Sequence, residues 1–156
     1  MAGHSHQFAA RLIWDGNKGD GTANYATYGR QYRIVVAGKA DIAGSADPAF
    51  RGDADRHNPE DLFVASISAC HLLTYLALCA KNKIRVVEYE DDASGTMTTT
   101  PHGGGKFDEV TLRPRVTIDA GDVDLAKQLH EKAHELCFIA SSVSCPIHHE
   151  PTIVTR

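Results

Sequence analysis

Cys70 is the residue of this sequence best placed to do chemistry, with Glu60 ten residues before it in the same apolar stretch. A cysteine reacts as its thiolate, so a working thiol needs its proton removed or its pKa lowered. The stretch opens Asn58-Pro59-Glu60-Asp61. Asn58 suits a helix N-cap, Pro59 suits the first helical position, and Glu60 and Asp61 place negative charge at the positive end of the helix dipole. Cys70 then falls about three turns inside the helix, where that dipole no longer acts. Phe63, Ser66, Ile67, Leu73, Thr74 and Ala77 flank it at helical spacing, a mostly apolar setting that raises a thiol pKa by desolvation. A thiolate here needs a cation from another element. Arginine fits, because it stays charged and can hold a carboxylate at the same time. Arg51 and Arg56 are the nearest in sequence, and Arg30 and Arg33 are alternatives. Glu60 is either the carboxylate that positions such a guanidinium or simply a dipole-favouring first-turn residue.

A second thiol would give Cys70 a partner. Cys79 is nine residues further along the same helix and turns to the opposite face at about 100° per residue, so it cannot bridge to Cys70. Cys137 closes a second predicted helix and could meet Cys70 where two helices pack. Cys145, in a loop before Pro146, is a weaker partner. Four cysteines in 156 residues are too sparse for a disulfide scaffold. The N-terminus, MAGHSHQFAARLIW, lacks the basic region and long apolar run of a signal peptide, so a cytoplasmic protein with reduced thiols is expected. A net charge of -4 with no basic face argues against nucleic-acid binding.

The elements that must position these residues read as one α+β domain over 1–156. Gln7–Trp14 reads as a strand. Asn24–Tyr28 and Gln31–Ala37 read as hairpin arms around Gly29, and Gly38–His57, rich in Gly, Ala, Asp and Pro, as a long loop. Residues 62–80 contain no Asp, Glu, Lys or Arg. They are long enough to span a bilayer, but Ser66, Ser68, His71, Thr74 and Tyr75 within the run favour a central helix with other structure all around it. Ile84–Met97 and Phe107–Asp119 read as two long strands, with Pro114 marking an edge or a bulge. Asp122 starts a second helix, with Leu125, Leu129, Ala133, Leu136 and Cys137 at helical spacing. Pro151–Thr155 closes as a strand, giving the order β-β-β-α-β-β-α-β.

A rival constellation is His130-Glu131-Lys132-Ala133-His134, which matches HExxH on a predicted helix and sets both histidines on one face, as in zinc proteases. It lacks an evident third ligand compatible with an open catalytic site. His4, His6, His148 and His149 read as solvated, and His57 and His71 as hydrogen-bonded structural residues that flank the Cys70 region. Gly103–Gly105 has no Lys-Ser/Thr after it and reads as a turn, not a phosphate loop. No metal, nucleotide or haem is expected.

The segment Asn58-Pro59-Glu60-Asp61-Leu62-Phe63 leading to Ala69-Cys70, with Ala133-His134-Glu135-Leu136-Cys137 closing the second helix, resembles the OsmC/Ohr family of osmotically inducible and organic hydroperoxide resistance proteins. The likeness extends over nearly the whole chain, including the opening RLIWDGNKGDGT. One departure is Phe138, where the family usually carries Pro after its second cysteine. The resemblance implies a thiol-dependent peroxidase in which Cys70 is oxidised by an organic hydroperoxide and Cys137 resolves the product as a disulfide. It further implies that Glu60 orients an active-site arginine, here Arg51 by choice. A dithiol, a lipoyl group for instance, would be the reductant, and the fold would be an intertwined homodimer with long central helices wrapped by sheets. The apolar surroundings of Cys70 should favour alkyl or lipid hydroperoxides over hydrogen peroxide. The alternative is a non-enzymatic dimeric binding protein for small apolar or electrophilic molecules.

Overall fold

The structure is a computed structural model that describes residues 3–156 and forms two compact units, Met1–Leu62 and Phe63–Arg156.

In the first unit, β1 (Arg11–Trp14), β2 (Tyr32–Val35) and β3 (Ile42–Gly44) make an antiparallel sheet in that order. This corrects the expected hairpin. Residues 24–28 are turns, in which the Asn24 side chain accepts from the Ala26 amide at 2.8 Å and the Thr27 hydroxyl donates to the Asn24 carbonyl at 3.1 Å. Such local bonds compete with a sheet ladder. β2 pairs instead with β1, Ile13 facing Arg33, and with β3, inside the segment expected to be loop. β3 is legible only through its partner: Gly44 lies beneath the Tyr32 ring, where a Cβ would come within 2.3 Å of it.

α1 (Pro59–Lys81) starts as the sequence predicts. Asn58 Oδ1 accepts from the Asp61 amide at 2.7 Å, and Asp61 Oδ2 accepts in return from the Asn58 amide at 3.4 Å. Two otherwise orphaned N–H groups are thereby satisfied.

The second unit builds on three chain segments that each turn a corner. The two expected long strands are each split, into β4 (Arg85–Asp91) and β5 (Ser94–Thr99), and into β6 (Gly105–Leu112) and β7 (Pro114–Ala120). The C-terminal strand is likewise preceded by a short one, giving β8 (Ile147–His149) and β9 (Thr152–Thr155). The halves form two sheets, β4-β7-β9 and β5-β6-β8, with β8 and β9 parallel to their neighbours. Pro114 is not on an edge. It is the first residue of a central strand, the one place there where a missing N–H is tolerated. At that corner the Arg113 amide donates to the Asp91 carboxylate, and Asp91 also accepts from Ser68 of α1.

α2 (Val123–Leu136) follows, capped by Asp122, whose side chain accepts from the Leu125 amide at 2.8 Å. Gly121 turns the chain into it at φ +117°, against Ile84. Tyr75, Cys79, Ile84, Val116, Ile118, Ala126, Leu129 and Ala133 form one core, and Ile67, Val110 and Leu112 a second.

α1 is long and apolar enough to cross a membrane by length and composition. Its buried residues Ile67, His71, Tyr75 and Cys79 recur every four positions, as one stripe of a packed helix does. The expectation of cover on every side does not hold within a single chain, because Ala65, Ala69, Leu73 and Ala77 are exposed.

Candidate active site

α1 and α2 meet through side chains spaced along one face of each. On α2, Ala126, His130, Ala133 and Cys137 are buried, at the spacing that keeps residues on one helical face. On α1, Tyr75 donates its hydroxyl to the Ala126 carbonyl at 3.0 Å, His71 Nε2 lies 2.9 Å from His130 Nδ1, and the Cys70 sulfur is near enough to the Cys137 thiol to raise its pKa. Ascending α1 from 70 to 75 descends α2 from 137 to 126. The three pairs thus follow one another in reverse order along the two helices.

Cys70 is partly exposed, Cys137 fully buried, and both are free thiols. Burial, then the neighbouring Cys70 sulfur, pushes the Cys137 thiol up to about 11. The amides of Ala140 (3.4 Å) and Ile139 point at the Cys137 sulfur and oppose that rise without overcoming it. Cys137 therefore holds its proton at neutral pH and can offer it to the Cys70 sulfur. Of the other thiols, Cys79 is buried beside Tyr75, and burial raises its pKa. Cys145 is partly buried against the core of Ile67, Val110 and Leu112.

Glu60 lies in the first turn of α1, and its charge, after burial, makes Tyr32 harder to ionise. Among the described residues Glu60 forms no ion pair. Arg33 is held by Asp15 and Asp41, and Arg56 by Asp53. Arg51 and Arg30 are engaged differently. Arg51 sits at φ 67°, donates to the Ala26 carbonyl at 3.4 Å and lies 6.0 Å from the Tyr25 ring centre. Arg30 stacks over Tyr28 and Tyr25 at 3.9 and 4.6 Å and donates to their carbonyls. The fold thus separates two arginines neutralised by carboxylates from two that are not.

The HExxH histidines do not converge. His130 faces the core against His71 and stacks on the Tyr75 ring at 3.8 Å, while His134 stacks on His149 at 5.7 Å. Among the described residues no group of three or more His, Cys, Asp or Glu is arranged to hold a metal. His149, expected to be solvated, is instead mostly buried, with its Nε2 3.3 Å from Glu131. His148, 3.5 Å from Glu109, is exposed, as are His4 and His6, whereas His57, read as a hydrogen-bonded structural residue, is also exposed and its imidazole makes no hydrogen bond among the described residues.

Desolvation drives the buried imidazoles to neutrality, His71 down to about 4 and His130 to about 3. His130 Nε2 is buried without a partner. A buried lone pair without a donor costs less than a buried N–H without an acceptor, which assigns the proton of His130 to Nδ1, donating to His71 Nε2. The sequence reading missed this pair. The signal was present: His130 stands seven residues before Cys137, on its face of α2, and His71 follows Cys70 directly.

The OsmC-like protein family matches this sequence over residues 52–152. The chain belongs to that family. An organic hydroperoxide resistance protein from Xanthomonas axonopodis pv. citri (strain 306) is 32% identical to it over 115 residues, 72% of this chain and 78% of that protein. An OsmC-like protein of unknown function from Vibrio cholerae O1 biovar eltor has a similar structure, with TM-score 0.83 and 28% identity over 95% of this chain and 100% of the other. An organic hydroperoxide resistance protein from Elizabethkingia anophelis shares the fold at TM-score 0.65 and 19% identity, over 98% and 100% of the two chains. The α+β, OsmC-like architecture implied by the sequence is therefore the fold of this chain, and both cysteines of this OsmC-like protein lie within the matched segment.

Proposed function

We propose that this OsmC-like protein is a thiol peroxidase that reduces organic hydroperoxides to alcohols. The observation that supports it is the approach of Cys70 and Cys137 from two different helices, one sulfur partly exposed and the other buried with its proton retained. The Cys70 thiolate attacks the peroxide oxygen that bears hydrogen. The O–O bond breaks, the alkoxide takes up a proton and leaves as the alcohol, and Cys70 becomes a sulfenic acid. The Cys137 thiol then displaces water from that sulfenic acid and closes the disulfide. A dithiol reductant restores both thiols and is itself oxidised to a cyclic disulfide.

The activating cation is assigned to Arg51, with Arg30 second, and Glu60 to its orientation. Arg51 and Arg30 both lack a carboxylate partner among the described residues, which leaves either able to take Glu60 and a thiolate together. The exposed Ala65, Ala69, Leu73 and Ala77 stripe supports a homodimer in which a second copy covers α1. A cytoplasmic location suits a protein whose working thiols must return to the reduced state.

Second-order rates with cumene hydroperoxide and with hydrogen peroxide, for the wild type and Cys70→Ser, test the reading. The organic substrate should react faster and the variant not at all. A Cys70→Ser protein that still consumes hydroperoxide would overturn it in favour of a binding role.

A further inference from the structure

We infer that His71 and His130 are positioning residues for the thiol pair: their buried hydrogen bond fixes α1 against α2 so that the sulfurs of Cys70 and Cys137 can close a disulfide. This role rests on the peroxidase reading and adds to it two residues that carry no sulfur chemistry themselves.

The bond is where such a device has to be. His71 is the next residue to Cys70, and His130 is two helical turns from Cys137 on the same face, so a shift of either helix passes directly to a sulfur. Disulfide closure tolerates little displacement, because it requires Cα separations of roughly 4.4–6.8 Å and a narrow torsion. Apolar packing alone is forgiving of sliding, whereas a hydrogen bond fails beyond a few tenths of an ångström. Between the helices the polar cross-links on this face are the 2.9 Å His71–His130 bond and the 3.0 Å Tyr75–Ala126 bond, and the first is nearer the sulfurs. Each imidazole is at most 1% exposed, so neither is available to bind substrate or carry a proton from solvent. An apolar pair would fill the same space, yet the chain keeps two imidazoles and leaves His130 Nε2 unsatisfied. Geometric definition is what the polar pair supplies and an apolar pair does not.

The test equilibrates wild type, H71L, H71Q and H130L with glutathione redox buffers and measures the Cys70–Cys137 disulfide by mass spectrometry, with no peroxide present. Leucine fills the imidazole space without the bond, whereas the Gln amide reaches the Nε2 position and keeps it. H71L and H130L should each form the disulfide with a tenfold smaller equilibrium constant, a rise in potential of about 30 mV for this two-electron couple. H71Q should stay within twofold of wild type. In peroxide single turnovers, H71L should form the Cys70 sulfenic acid at the wild-type rate and close the disulfide tenfold more slowly. Leucine variants with wild-type disulfide constants, or H71Q no better than H71L, would overturn the positioning role while leaving the peroxidase reading intact. A wild type that forms no Cys70–Cys137 disulfide would overturn both. Failure of both leucine variants to fold would also overturn it, making the pair a requirement of the fold and not of the sulfur approach.

Discussion

The buried Cys137 thiol neighbours the Cys70 sulfur, across from one helix to the other, with no covalent bond between them. Their roles should therefore separate cleanly. Cys137→Ser should still react once with hydroperoxide, leaving a sulfenic acid on Cys70 that dimedone traps, but should lose turnover by at least about a hundredfold, the lost effective concentration of a neighbouring thiol. Intact-mass spectrometry after one equivalent of cumene hydroperoxide distinguishes adduct from disulfide.

The same proximity sets the acidity of Cys137. Its alkylation by iodoacetamide should be slow at pH 8 and rise towards pH 11, since burial and the adjacent sulfur both hold the proton on. In Cys70→Ser the midpoint should move down, because the neighbouring sulfur that raises it is gone. A midpoint that rises or stays would contradict the proton assignment.

Stability should depend on pH through the imidazole pair. The folded pKa values of His71 and His130 are depressed below the usual 6.5, so their contribution is present above pH 6.5 and lost as pH falls towards 4 and then 3. For His71 alone this amounts to about 3 kcal/mol across the window. Urea unfolding from pH 7 to pH 4 should show the loss, and H71L should flatten it.

The helix caps Asn58 and Asp122, the two helices and both cysteines were legible in the sequence, because capping chemistry and helical period are local signals. The corner at Arg113–Pro114 showed only as a proline within one long alternation, and β8, before the corner at Glu150–Pro151, is too short to announce itself. Only the tertiary bonds of Asp91 to the Arg113 amide and to Ser68 show where a strand changes sheet. His149 was read as solvated because it lies near the C-terminus in what looked like loop, and its burial depends on β8 pairing with β6. The His71–His130 bond joins residues 59 apart, beyond any window of periodicity.

The arginines should divide as their partners do. Arg51→Ala should slow hydroperoxide reduction by about 10- to 100-fold, the value of a charge-assisted hydrogen bond of roughly 1.5–3 kcal/mol. Arg33→Ala and Arg56→Ala, whose guanidinium groups already serve carboxylates, should stay within about twofold, the small effect expected of exposed pairs. Steady-state rates at saturating dithiol measure all three, and loss in Arg30→Ala alone would transfer the role to Arg30.

On α1, Leu73 is 68% exposed in the middle of an apolar stripe. Leu73→Glu should turn a dimer of about twice 16.9 kDa into monomer on sedimentation. An unchanged sedimentation coefficient would show that this stripe is not where copies meet.

Gly121 has no chemistry, yet α2 swings from it. A side chain there would press on Ile84 at 2.9 Å, at a backbone angle that L-residues avoid. A 14-residue helix is a lever some 21 Å long, so a tilt of about 5° at its start would carry its far end, and Cys137 with it, through roughly 2 Å. The alignment of the sulfurs is thus governed in part by the smallest residue in the chain, at the opposite end of a rigid arm.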